Sequence, residues 1–200
     1  TLGADNGIGV TSIMSLLASD NIPHPPLEAL FTVDEETGMT GAQELKEGYL
    51  DGKILLNLDT EDDNELTIGC AGGIDITAKG NYDSSTPDTN FAFYKVSVSG
   101  LTGGHSGMDI HKGRGNANKI MNRILLEASE EFDLRLAELD GGGLRNAIPR
   151  ESQALVSIGK DSFSAFKEFF DEKAQIIQTE NKITDPSLKI VIEEVEGDFK

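Results

Sequence analysis

Basic residues are scarce in this chain: 17 Lys and Arg stand against 35 Asp and Glu across 200 residues, a formal net charge of −18. So acidic a surface repels polyphosphates and anionic headgroups, which argues against nucleic acid or a membrane as a partner and is compatible with cation binding. Cysteine occurs once, as Cys70 in "LTIGCAGG". A single thiol excludes an internal disulfide framework and fits a reducing, cytoplasmic setting, with Cys70 read as a small buried hydrophobe. No run of eighteen apolar residues occurs, and no charged-then-apolar leader opens the chain. The first residues, "TLGADNG", start mid-pattern without a methionine, so a piece of a longer protein is expected. Histidine is scarce too, limited to His24, His105 and His111.

What is present falls into two rhythms. Up to about residue 72, apolar runs alternate with helical patterns. "GVTSIMSLLASDN" spaces Val10, Ile13, Met14 and Leu17 as a helix does, and "GAQELKEGYL" reads as another helix. "PLEALFTV" and "KILLNLD" read as strands ending in acid. Strands alternating with helices predict part of a parallel α/β sheet, whose ligands bind beyond the carboxyl ends of the strands. From about residue 73 the order becomes strand "FAFYKVSVSGL", helix "GNANKIMNRILLEASEEF", strands "DLRLAELDGG" and "NAIPRESQALVSIG", helix "SFSAFKEFFDEKAQIIQTENKI" and strand "SLKIVIEEVE". That β-α-β-β-α-β order is ferredoxin-like. The expected domains are therefore residues 1–72, α/β, and residues 73–200, α+β.

Acids gather where the first-half strands end. Asp5 follows "TLGA", Asp34, Glu35 and Glu36 follow "ALFTV", and Asp59 follows "ILLNL". Carboxylates collected in one crevice without partners each cost several kcal/mol or are neutralised by protonation. One or two divalent cations remove that difficulty, since carboxylate oxygens are good ligands for such ions. Adjacent glutamates then divide the labour: one ligates, and its neighbour takes a proton from an activated water. The simpler reading of an isolated "DEE" is a helix cap; three acidic strand ends in one short unit favour the metal.

"GADNGIG", "TVDEETGMTGA" and "NLDTED", in this order and spacing, together with "GLTGGHSGMDIHKGRGNANK", resemble the di-zinc aminoacylase and carboxypeptidase family of metallopeptidases, most closely its Xaa-His (aminoacyl-histidine) dipeptidase branch. The resemblance covers nearly the whole chain. It implies part of a zinc-peptidase catalytic domain in 1–72 and a lid and dimerisation domain in 73–200. It also implies two metal ions, Zn2+ first with Co2+ or Mn2+ as alternatives, and hydrolysis of dipeptides such as Xaa-His by a homodimer formed through the lid. Residue by residue, Asp5 would bridge the metals, Glu36 and Asp59 would each ligate one, and Glu35 would be the general base. His105 would stabilise the oxyanion, usually in the partner subunit's site, and Asn146 would contact substrate. The alternatives are an N-acyl amino acid deacylase of the same family and a dimerisation module without chemistry.

The family also requires an upstream H-x-D segment and a C-terminal histidine ligand. None of the three histidines here sits in such a context, so the piece alone is expected to be a poor catalyst. His24 and His111 read as loop residues. Ser106 is not read as a nucleophile, because Met108 stands where a G-x-S-x-G elbow needs glycine. "KGRGNANK" lacks the order of a phosphate-binding loop. The run "EDDNE" reads as a solvated turn.

Overall fold

The computed structural model describes residues 4–60, 64–69, 72–86 and 89–197; the side chains of Ala4 and Asp5 lie outside that description. Cys70 and most of the "EDDNE" turn also lie outside it. The chain divides into two compact units, Thr1–Ile76 and Thr77–Lys200.

The second unit is built on period-two alternation. In β1 (Phe91–Ser99), Tyr94, Val96 and Val98 are buried while their neighbours are half-exposed, as one apolar face of a strand requires. Residues 104–105 form a two-residue strand, β2 (Gly104–His105), paired with β4 (Ala147–Ile148). The longer strands β3 (Arg135–Gly141), β5 (Ser152–Gly159) and β6 (Lys189–Val195) join β1 in a sheet of order β3-β5-β1-β6. Each neighbour pair in it is antiparallel. With α3 (Ala117–Glu131) and α4 (Phe163–Glu180) between the strands, this is the ferredoxin-like order read from the sequence.

Both helices lie on the buried face of the sheet. Ile120, Met121, Ile124 and Ala128 recur at three- and four-residue steps along α3, and Phe166, Phe170, Ala174 and Ile177 do so along α4. That spacing puts each set on one stripe. Asn116 caps α3, its side-chain oxygen accepting the Lys119 N–H at 3.1 Å. Phe132 meets Phe166 edge-on with ring centroids 5.5 Å apart, and Phe163 stacks on Tyr94 at 4.1 Å. Each buried side chain of this size contributes about 1.5–3 kcal/mol, so these two helices are held by packing more than by propensity.

The first unit takes a different course from the expected one. It contains α1 (Ala4–Leu17), where Val10, Ile13, Met14 and Leu17 placed a helix, and a single turn, α2 (Thr40–Gln43), in place of the longer helix expected over "GAQELKEGYL". No strand forms among its described residues. Among the described residues the two runs read as strands join no ladder, and Ile54, Leu55 and Leu56 are 77–85% exposed. A strand exists only through its ladder, and parallel pairing needs crossover helices and cover on both faces. Two apolar runs do not supply that by themselves. Side-chain to backbone bonds hold the runs instead. Asn6 Nδ2 donates to the Leu58 carbonyl at 2.7 Å, and the Glu28 carboxylate accepts the N–H groups of Asp51 and Gly52 at 2.8–3.1 Å.

Candidate functional site

The acidic loop of the first unit is organised by the acid to which the sequence assigned no role. Asp34 has φ 61°, in the left-handed region, which Asp tolerates better than most residues. Its carbonyl accepts the N–H of Met39 at 2.6 Å and of Gly38 at 3.3 Å. Its carboxylate accepts the hydroxyls of Thr37 and Thr40. Those two hydroxyls, Thr37 first, hold the Asp34 carboxyl below its usual range. Gly41 closes the loop: its N–H donates to the Val33 carbonyl at 3.2 Å, and a Cβ there would collide with the Val33 backbone. The threonines three and six residues after Asp34 were the readable signal, since Asp turns are closed by such local bonds.

That organisation leaves Glu35 and Glu36 exposed on a turn. Asp59 is exposed as well, its N–H donating to Asn57 Oδ1 at 3.0 Å. The Asn6–Leu58 bond joins the immediate neighbours of Asp5 and Asp59. Asp5 itself has no described side chain, so a meeting of Asp5, Glu36 and Asp59 lies outside the described residues. Among those residues, no three His, Cys, Asp or Glu side chains gather as a metal centre would need. Carboxylate oxygens are the right donor type for a divalent ion, yet catalytic zinc also takes imidazole. The first unit's one histidine, His24, donates through Nδ1 to the Pro25 carbonyl at 2.7 Å. The described donors are therefore a partial set.

The second unit brings its two candidates together. The β2–β4 ribbon pairs His105 with Ala147 and Gly104 with Ile148, which puts Asn146 one residue from the partner of His105. The Asn146 carbonyl accepts the Ser106 N–H at 2.8 Å. Both His105 and Asn146 are exposed. The imidazole is oriented from within its own turn: Nδ1 accepts the N–H groups of Gly107 at 3.1 Å and Met108 at 3.2 Å. A ring nitrogen accepting two N–H bonds carries no proton, so the neutral ring holds its proton on Nε2. The product is an exposed N–H donor.

Two charged residues not singled out from the sequence complete this turn. Asp109 Oδ2 accepts the His105 N–H at 2.9 Å, and Arg114 Nη1 donates to the Gly103 carbonyl at 2.5 Å. Lys112 and His105 lower the Asp109 carboxyl to about 2, chiefly through the Lys112 ammonium. Beside the turn runs an open groove of about 850 Å³, lined in part by Ser106, Asn116, Lys119, Arg145 and Ile148. No helix among the described residues is long and apolar enough to cross a membrane.

Similarity to known proteins follows this geometry. Residues 96–185 match a family described as the peptidase dimerisation domain. The chain is 43% identical over 198 residues to the cytosol non-specific dipeptidase of Escherichia coli (strain K12), covering 99% of this chain and 41% of that protein. It also matches the crystal structure of aminoacylhistidine dipeptidase from Vibrio alginolyticus, at 44% identity and a TM-score of 0.77, over 100% of this chain and 41% of that one. The chain thus spans about two fifths of the length of these relatives. Residues 96–185 thus match a peptidase dimerisation domain, and the resemblance of the chain to the aminoacyl-histidine dipeptidases is borne out.

Proposed function

We propose that this chain is part of a metal-dependent dipeptidase that hydrolyses dipeptides, Xaa-His among them, in the cytoplasm. The carrying observation is identity of 43–44% to two dipeptidases across essentially the whole chain. In this reading residues 1–72 are part of the catalytic domain, and residues 73–200 are the lid through which two copies pair. Asp5, Glu36 and Asp59 would hold two divalent ions, Zn2+ by preference, which supply Lewis-acid activation of water and carbonyl when bound.

The chain's own residues divide the remaining work. Glu35 accepts the proton of the attacking water, a task that needs a carboxylate left out of the metal's ligand set. Its place on an exposed turn beside Glu36 supports that role. His105 donates from Nε2 to the developing oxyanion, usually that of the neighbouring subunit's site. An N–H held in place before the reaction is the most effective form of such a donor. The Gly107 and Met108 bonds to Nδ1 support this assignment, because they fix which nitrogen donates. Asn146, on the same ribbon, contacts the substrate.

The test uses the full-length protein, offered Xaa-His dipeptides and N-acyl amino acids with and without a chelator. Dipeptide hydrolysis that is lost on chelation and restored by Zn2+ is expected. Hydrolysis of N-acyl amino acids alone would establish a deacylase. Association without turnover of either class would leave a dimerisation module.

A further inference from the structure

The His105 turn is held by more than its glycines. Asp109 is bonded to His105 in both directions: its carboxylate accepts the His105 N–H at 2.9 Å, and its own N–H donates to the His105 carbonyl at 3.0 Å. Its carboxylate also faces Lys112 Nζ at 2.5 Å and Arg114 Nη1 at 3.4 Å. That same Arg114 nitrogen reaches the Gly103 carbonyl at 2.5 Å. The ion pair thus grips the backbone on either side of Gly104. A Cβ on Gly104 would collide with both Arg114 Nη1 and the Asp109 carboxylate, and its φ of +148° is one that glycine alone adopts freely. Asp109 and Arg114 side chains are only 19% and 23% exposed, so solvent screens the pair less than a surface one.

We propose that Asp109 and Arg114 are positioning residues for His105, bracing the backbone from Gly103 to His105 so that the imidazole keeps its Nε2 proton and its place. The brace acts through the turn that orients the ring. Asp109 closes the five-residue segment from His105 to itself, and within that segment lie the Gly107 and Met108 N–H groups that fix Nδ1. Removing the Asp109 carboxylate frees the His105 N–H and loosens the segment that carries those two donors, leaving only the backbone bond from Asp109 N–H to the His105 carbonyl to close it. Arg114 serves the other end, and its loss leaves the Gly103 carbonyl and the Asp109 carboxylate short of a donor. The catalytic consequence rests on the reading of His105 as the oxyanion donor.

The test is a double-mutant cycle in the full-length enzyme, read together with the ring nitrogens of 15N-labelled histidine. Asp109→Ala should lower kcat by about 10- to 100-fold with KM nearly unchanged, the scale of effect that a misplaced reacting group produces. In the His105→Ala background the same substitution should have no further effect, because a residue acting through His105 has nothing left to act on. The His105 ring signals should move from the single Nε2–H form to a mixture of tautomers in Asp109→Ala. Arg114→Met should shift both readouts the same way, more weakly. Losses that multiply in the double variant, or ring signals unchanged in Asp109→Ala, would overturn the brace. Full activity in His105→Ala alone would overturn the oxyanion reading, and the brace then stands or falls on the ring signals.

Discussion

The N–H of Gly115 donates to Asp185 Oδ2 at 2.7 Å, joining the loop before α3 to the turn between α4 and β6, 70 residues later. The other carboxylate oxygen accepts the Thr102 N–H at 2.7 Å. Asp185 is 1% exposed. Burial opposes its charge, but the N–H groups of Thr102 and Gly115, with the hydroxyls of Thr184 and Thr102, outweigh it and hold the carboxyl below its usual range. A buried carboxylate thereby anchors the segment leading into β2 and the segment leading into α3.

Removing that anchor should be severe. Asp185→Ala leaves two backbone N–H groups without their acceptor, each costing about 1–3 kcal/mol when buried. The expected loss in unfolding free energy is about 2–5 kcal/mol, within the range of broken buried networks. Asp185→Asn should recover part of it, since one amide oxygen still accepts. Urea unfolding of the three proteins checks this, and equal midpoints for all three would contradict the anchor.

The Asp109 carboxyl, lowered to about 2 chiefly by Lys112, has a readable pH signature. Its folded value lies below that of the unfolded chain, about 4 for an ordinary Asp. Between those two values the unfolded state binds more protons, so stability rises with pH there. The contribution is complete above the unfolded value and is lost as pH falls through about 2. Asp109→Asn should therefore flatten the acid limb of a stability–pH curve between about pH 4 and pH 2 and leave its neutral limb parallel to the parent's. An unchanged acid slope would mean that the Lys112 and Arg114 contacts do not form in solution.

How far the sequence reveals this structure depends on who supplies each residue's partner. Tyr94, Val96 and Val98 alternate along β1, and Ile120 and Ile124 step along α3. Their partners are a sheet face and a helix stripe, which periodicity describes directly. The run from Ile54 to Leu58 is as apolar but has no neighbouring strand among the described residues of its unit, and β propensity expresses fit to neighbours more than a backbone preference. His105 was singled out by the resemblance of its "GGHSG" setting to the family's lid histidine. Asp109, Arg114 and Asp185 were not, because a charged residue's choice of backbone partner across 4, 11 or 70 positions leaves no period. Asp34 lies between: its threonines were visible, but its role as loop organiser was obscured by two more reactive neighbours.

Glu35 and Glu36 should separate cleanly by substitution in the full-length protein. Glu35→Gln keeps the size and hydrogen-bonding shape of the side chain but cannot accept a proton from water. Turnover should fall by about 10²–10⁴-fold, the usual contribution of a general base. Metal content, measured on the purified variant, should stay near that of the parent. Glu36→Gln should instead lower metal content, as the loss of a charged ligand does. Metal lost from Glu35→Gln and kept by Glu36→Gln would exchange the two roles.

The last prediction concerns where His105 acts. Its Nε2–H is presented from an exposed turn on a ribbon of the second unit, the unit that matches a dimerisation domain. If two copies pair through that unit, the donor is available to the neighbour's active site. His105→Ala in the full-length enzyme should lower turnover by about 10²–10³-fold, the effect of losing one oxyanion donor. Glu35→Gln, which removes the proposed base, should disable the site on its own chain. Mixing the two inactive dimers and allowing subunits to exchange gives heterodimers in which one site carries both lesions and the other carries neither. Each such heterodimer should regain about half the parent's activity, since one of its two sites is intact. With exchange verified by mass spectrometry of the mixed dimers, failure to regain activity would place His105 in its own subunit's chemistry or in none.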